Sequence, residues 1–190
     1  LIEKAGGQVV MTDPDLPSGS DRVYAALTAY DPSGKYDVVV NLQGDLPNVD
    51  PQALKAVLTP LSDSTIDVAT VAAQITDMSE LNNPNVVKIA LAHNADGSMG
   101  RALYFSRSCI PHGDGPHYHH IGIYAYRRPA LKKFVELPPS TLEKRERLEQ
   151  LRLVEQGVTF GVAFVDKIPV SVDTAEDLER ARQALASAAA

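Results

Sequence analysis

Cysteine is almost missing from this chain. There is one in 190 residues, Cys109, so no intramolecular disulfide can form and a reducing compartment is expected. Long apolar runs are missing as well. No stretch approaches the roughly 20 residues that cross a bilayer, and no basic segment followed by an apolar one marks a secretory signal. These absences point to a cytoplasmic protein with no membrane partner. Basic residues are in the minority, 18 Lys and Arg against 24 Asp and Glu, for a net charge of -6. That balance speaks against a nucleic-acid partner, which binds basic patches. It also means that a bound polyphosphate would need local positive charge or metal ions. Repeats are absent, and the one low-complexity tract is the alanine-rich tail ending at Ala190. What remains is ordinary globular composition, 44% hydrophobic and 22% charged, in a length that suits one sizeable domain without staples.

The apolar pattern predicts alternating strands and helices. Gln8 to Met11 reads as a short buried strand, and Pro14 to Asp21 as a loop. Val23, Ala26, Leu27 and Tyr30 recur at helical spacing. Tyr36 to Gln43 is a β-branched run between Gly34 and Gly44, expected to be buried on both faces. Asp50-Pro51 caps and opens a helix. Ile66 to Ile75, Val86 to Ala92, Arg101 to Phe105, His120 to Tyr126 and Val158 to Val165 read as strands, with Asp96-Gly97 turning a hairpin. Pro129 opens a short helix. Ser140-Thr-Leu-Glu143 is a capping box whose helix is expected to run unbroken to Gly157. Thr174-Ala-Glu-Asp177 starts the last helix. The order predicts an α/β sheet with an antiparallel, strand-rich middle, and ligands in such sheets bind beyond the carboxyl ends of the strands.

Seven segments stand out: Ser18-Gly-Ser-Asp-Arg22, Val40-Asn-Leu-Gln-Gly-Asp45, Asn83-Pro-Asn-Val-Val-Lys88, Arg101-Ala-Leu-Tyr-Phe-Ser-Arg107, His120-Ile-Gly-Ile-Tyr-Ala-Tyr126, Leu148-Glu-Gln-Leu-Arg152 and Val172-Asp-Thr-Ala-Glu-Asp-Leu-Glu179. In order and spacing they resemble the CMP-Kdo synthetase family over essentially the whole chain. The resemblance implies an α/β nucleotidyltransferase fold with a Rossmann-like mixed sheet. It implies transfer of a cytidylyl group from CTP to the sugar acid Kdo, giving CMP-Kdo and pyrophosphate for lipopolysaccharide biosynthesis, with Mg2+ and as a homodimer.

On residues alone, Asp45 at a strand end reads first as a turn aspartate, and Asp173 as helix N-terminal charge. The resemblance makes both of them magnesium ligands. It makes Ser18, Gly19 and Arg22 cytidine contacts, where residues alone show a flexible turn, and adds Gln43 to the CTP cleft. It assigns His120, Tyr124, Glu149 and Gln150 to Kdo, with Arg101 a further candidate for the sugar carboxylate. His120, Gly122 and Tyr124 share one strand face. Glu149 and Gln150 are expected mid-helix, a solvated face if the family is set aside. His112, His117, His119 and His120 read as a solvated loop more readily than a zinc site, and Cys109 as a packed or partly buried residue.

The chain also departs from the family. Leu1 to Met11 has no counterpart to the family's first strand and phosphate-cradling loop, so the expectation is a single domain over residues 1–190 that lacks that element and is inactive alone. Leu46 stands where the family has Glu, Ser20-Asp21 where it has Thr-Glu, and His119 where it has Arg. The alternatives are a non-catalytic remnant that folds and dimerises, and cytidylyl transfer to another sugar acid such as a sialic acid.

Overall fold

The computed structural model describes residues 2–172 and 174–188. Six strands form one mixed sheet: β1 Val38–Leu42, β2 Val68–Gln74, β3 Lys88–His93, β4 Met99–Ser106, β5 Tyr118–Arg127 and β6 Phe160–Phe164, in the order β1-β5-β2-β6-β4-β3. β2 and β6 run parallel, and the other pairings are antiparallel. Lys88 of β3 also pairs with His119, so β5, β2, β6, β4 and β3 form a closed circuit of pairings. β1 and β2 both lie antiparallel to β5. They therefore point the same way as β6, and their carboxyl ends meet at the end where β5 begins.

Among the described residues six segments are α-helical, and local capping signals start three of them. Ser18 caps α1, Gly19–Tyr30, its side chain accepting from the Asp21 amide. Asp50 caps α2, Pro51–Ala56, with proline in the first turn, where no amide partner is lost. α3 spans Arg128–Glu136. α4, Thr141–Glu146, starts with the predicted capping box of Ser140 and Glu143. α5 spans Leu151–Val154 and α6 Ala175–Ala188.

Two apolar layers flank the sheet. On one face Tyr124, Tyr126, Phe105 and Phe160 pack against Leu131 and Phe134 of α3 and Leu151 and Leu153 of α5. On the other, Ala69, Val71, Ile121 and Ile123 meet Ala53 and Val57. Each large side chain buried this way stabilises by about 2 kcal/mol. β2 is the central strand, and six of its seven residues are buried. Gly161 on β6 lets Pro60 approach closely: a Cβ there would stand 2.5 Å from the proline ring.

Four expectations are corrected. Gln8 to Met11 is not a strand and not buried. It pairs with nothing among the described residues, and Met11 is 88% exposed; an extended run without a partner leaves its amides to water. β1 is not buried on both faces. Its only described partner is β5, and Val40 and Leu42 are exposed. The helix from Ser140 does not run to Gly157. It breaks at Arg147, which takes a left-handed conformation with φ 55°. The Leu148 amide then closes back on the Glu143 carbonyl, and the apolar Leu148 turns into the core. Cys109 is exposed rather than packed.

Candidate active site at the carboxyl ends of the strands

The register of β1 on β5 builds one wall. Asn41 stands opposite Tyr124 and Leu42 opposite Ile123, so Asn41, Gln43, Gly122, Tyr124 and His120 fall on a common face. The Gln43 amide lies over Gly122, 3.7 Å from where a Cβ would sit. His120 and Tyr124 are both buried, with ring centroids 5.4 Å apart, and Phe105 packs edge-on against the imidazole at 4.9 Å.

Burial, with the neighbouring His119 adding to it, brings the His120 pKa down to about 3. The ring is therefore neutral at physiological pH. Its Nε2 lies 3.0 Å from Thr70 Oγ1, whose hydroxyl donates to the Ile123 carbonyl at 2.8 Å. A hydroxyl has one hydrogen, so Nε2 carries the proton and Nδ1 is left as an acceptor. Tyr124 is likewise kept protonated, burial pushing its phenol well above the ordinary range.

Glu149 and Gln150 lie in the turn between α4 and α5, not on a solvated helix face, and Gln150 is 3% exposed. The turn is braced from behind. Arg152 makes a two-pronged contact with Glu143, 2.8 and 2.5 Å, and its guanidinium lies 4.1 Å from the Phe134 ring centre. Glu149 Oε1 accepts from Ser20 Oγ at 2.9 Å. Burial raises the Glu149 pKa, against the opposing pull of the Ser20 and Ser18 hydroxyls. The α1 amino terminus, expected at the nucleotide, and Glu149, expected at the sugar, thus touch directly.

Asp45 follows β1 and presents a different environment. Its Oδ1 is buried and has no hydrogen-bond partner among the described residues. Its backbone carbonyl accepts from the Val172 amide at 2.9 Å, and Asn48 accepts from the Val170 amide at 2.8 Å. These two contacts bring the segment that leads into Asp173 alongside Asp45. Asp173 itself lies outside the described residues. A buried carboxylate oxygen without a partner is costly in a closed protein and suits a hard divalent cation. Leu46, where the family has Glu, is buried against Ala53 and Val57.

Two predicted site residues behave otherwise. Arg22 is occupied in holding the preceding loop, donating to Thr12 Oγ1, the Asp13 carbonyl and the Pro14 carbonyl at 2.7 to 3.3 Å. Arg101 is not brought to the sugar residues. It pairs with Gly161 and lines a separate cleft of about 310 Å³ with Asp63, Ile66 and Thr159, near the amino ends of β2 and β6. The expectation placed it by its motif, but β4 runs antiparallel to β6, so by Arg101, opposite Gly161, it has reached the amino end of β6. Of the histidines, His117 bonds to the Gly115 and Pro111 carbonyls and His119 faces Glu80 at 3.8 Å. Among the described residues no three His, Cys, Asp or Glu side chains converge as a metal site.

Three contributors escaped the sequence reading. Thr70 sits in a wholly apolar stretch, Ser20 was noted only as a departure, and Asn41 is buried with an unpartnered Nδ2. A lone polar residue within the run Val38 to Leu42 was the available signal for Asn41.

Comparison with known proteins identifies the family. The cytidylyltransferase family matches residues 1–180. A 3-deoxy-manno-octulosonate cytidylyltransferase of Bradyrhizobium sp. is 57% identical over 98% of this chain and 76% of that protein. The one of Rhodospirillum rubrum is 55% identical over 97% of this chain and 73% of that protein. A solved CMP:2-keto-3-deoxy-manno-octonic acid synthetase complexed with CTP is similar with TM-score 0.84 and 34% identity, over 98% of this chain and 75% of that one. An apo UDP-glucose pyrophosphorylase, 11% identical with TM-score 0.65 over 95% of this chain and 64% of that one, shares the fold. By sequence and by fold, the chain belongs to the cytidylyltransferase family.

Proposed function

We propose that this protein transfers the cytidylyl group of CTP to Kdo, releasing pyrophosphate. The observation that carries the reading is the convergence, at one end of the sheet, of a polar wall with a carboxylate beside it whose Oδ1 has no hydrogen-bond partner among the described residues. The wall is made of Gln43, His120, Tyr124, Glu149 and Gln150, and the carboxylate is Asp45. A sugar acid offers many hydroxyls. Nδ1 of His120 and the carboxylate of Glu149 accept from hydroxyls, while the Tyr124 phenol and the two side-chain amides can donate. Fixing the attacking hydroxyl in this wall against the α-phosphorus replaces an encounter in solution with a held geometry.

Asp45 fits a divalent cation through its unpaired Oδ1, and we assign Asp173 as its counterpart. Magnesium bound there would neutralise phosphate charge and lower the pKa of the attacking oxygen. Ser18 and Gly19 open α1 where the nucleotide would lie. In the same reading the protein acts in the cytoplasm as a homodimer and supplies lipopolysaccharide biosynthesis.

The test is pyrophosphate release from CTP and Mg2+, with Kdo compared against a sialic acid, in the unaltered protein and in Glu149→Ala. The expected result is preference for Kdo. For Glu149→Ala, a Kdo KM raised about tenfold or more is expected, from loss of a charge-assisted hydrogen bond, with the CTP KM little changed. Equal use of both sugar acids, or a change confined to CTP, sinks the reading.

A further inference from the structure

Ser20 is the second residue of α1 and has no exposed surface. Serine brings no helix-forming advantage there, and the helix already has its cap in Ser18. Its hydroxyl instead reaches 129 positions along the chain to Glu149. On its other side stands the Tyr126 hydroxyl at 3.4 Å. Serine has one hydrogen to give, and the 2.9 Å contact to Glu149 takes it. The phenol therefore donates into Ser20 Oγ, and a buried relay runs from Tyr126 through Ser20 to Glu149. The nearby cation cannot substitute, because the guanidinium of Arg152 is taken up by Glu143. Among the described residues no Lys or Arg comes within ion-pair distance of Glu149, so hydroxyls hold this carboxylate.

We propose that Ser20 is a positioning residue for sugar binding: its hydroxyl fixes Glu149 Oε1, leaves Oε2 for a hydroxyl of the sugar acid, and couples the amino terminus of α1 to the sugar-facing turn. The proposal rests on the reading of Glu149 as a sugar contact. The groups that face Glu149 are Ser18, Ser20 and Asp21 from α1, Arg152 from α5, and Tyr124 and Tyr126 from β5. Of these, burial and Asp21 disfavour its charged form, while Ser20, Ser18 and Arg152 favour it. Removing the Ser20 hydroxyl therefore moves the titration of Glu149 upward, and the acid limb of sugar binding with it.

The experiment compares Ser20→Ala, Ser20→Thr and Glu149→Gln by two readouts. One is KM for Kdo and for CTP across pH, and the other is the Glu149 titration followed by carbon-13 NMR of labelled glutamate. Ser20→Ala is expected to raise the Kdo KM roughly tenfold, as for a lost hydrogen bond to a charged group, with CTP affected less and the Glu149 titration moved upward. Ser20→Thr, which keeps the hydroxyl, is expected to restore both. Should Ser20→Ala fail to fold, Ser20→Cys, with nearly the same shape and a weak donor, carries the same expectations. An unchanged Kdo KM and an unmoved titration in a folded Ser20→Ala, while Glu149→Gln does raise the Kdo KM, overturns the proposal. A Glu149→Gln variant with an unchanged Kdo KM sinks the underlying reading instead, whatever the titration shows.

Discussion

The two halves of the site are held in opposite ways. In the wall, His120, Tyr124 and Gln150 are buried and Glu149 is half-buried; His120 bonds to Thr70 and Glu149 to Ser20, both far away in the chain, and Arg152 braces the turn through Glu143 and the Phe134 carbonyl. Asp45 follows an edge strand, and its Oδ1 meets no donor. One half is organised before any ligand arrives, and the other leaves a carboxylate oxygen without a partner among the described residues. The difference suggests a division of labour. Hydroxyl recognition needs donors and acceptors fixed in place, whereas a cation site needs negative charge left available, which folding alone does not favour.

The largest expected effect comes from neutralising that charge. Asp45→Asn, or Asp173→Asn, should lower magnesium-dependent transfer on the order of 10³-fold, from loss of metal charge stabilisation worth several kcal/mol. Asp45→Asn should leave the urea unfolding midpoint unchanged or slightly higher, because the Asp45 Oδ1 has no hydrogen-bond partner among the described residues. Retained activity at low magnesium, or a large loss of stability, would erase the contrast between the halves.

The braced half should respond the other way. Arg152→Ala leaves Glu143 without its cation, and removes a guanidinium donor from the Phe134 and Leu137 carbonyls, of which Phe134 keeps only the Leu137 amide. Breaking a largely buried pair by removing one partner costs roughly 3 kcal/mol. Chemical denaturation should register that loss, and the surviving folded enzyme should show a higher KM for Kdo than for CTP relative to the parent. A variant of unaltered stability would mean that the turn holds itself.

A smaller effect should appear with pH. His120 has a pKa of about 3 in the fold against 6.5 for the free side chain. Between those values the unfolded chain takes up a proton that the folded chain refuses. The associated stability is complete above about pH 6.5 and declines as pH falls toward 3. At pH 5 the loss is about 2 kcal/mol from this residue. His119, lowered to about 4 mainly by burial, acts with the same sign. Unfolding free energies measured at pH 7 and pH 5 should therefore differ less in His120→Gln than in the parent. Equal slopes would show that His120 is not held neutral by burial.

Much of this was legible in the chain, because it depends on near neighbours in sequence. The caps at Asp50 and Ser140, the strand runs and the order of the seven segments are local signals, and both caps are present. The burial of a strand's two faces was not legible. Val40 and Leu42 carry the same β-branched or apolar character as the buried Val68 and Val71, but exposure depends on what pairs and packs alongside. Glu149 was misjudged for a related reason. Period alone extends a helix through it, while the left-handed turn at Arg147 and the pull of Leu148 into the core decide otherwise.

The amino-acid sequence by itself determined the kind of fold, the elements that compose it, and which polar side chains stand at strand ends, since composition, period and capping act over a few residues. Only the tertiary structure decided that Ser20 meets Glu149, that Thr70 sets the tautomer of His120, that Arg101 faces a different cleft, and that one oxygen of Asp45 is left unpaired. These outcomes depend on strand register and on burial. Neither is a property of any short stretch of chain, because a shift of one residue in register sends a side chain to the opposite face.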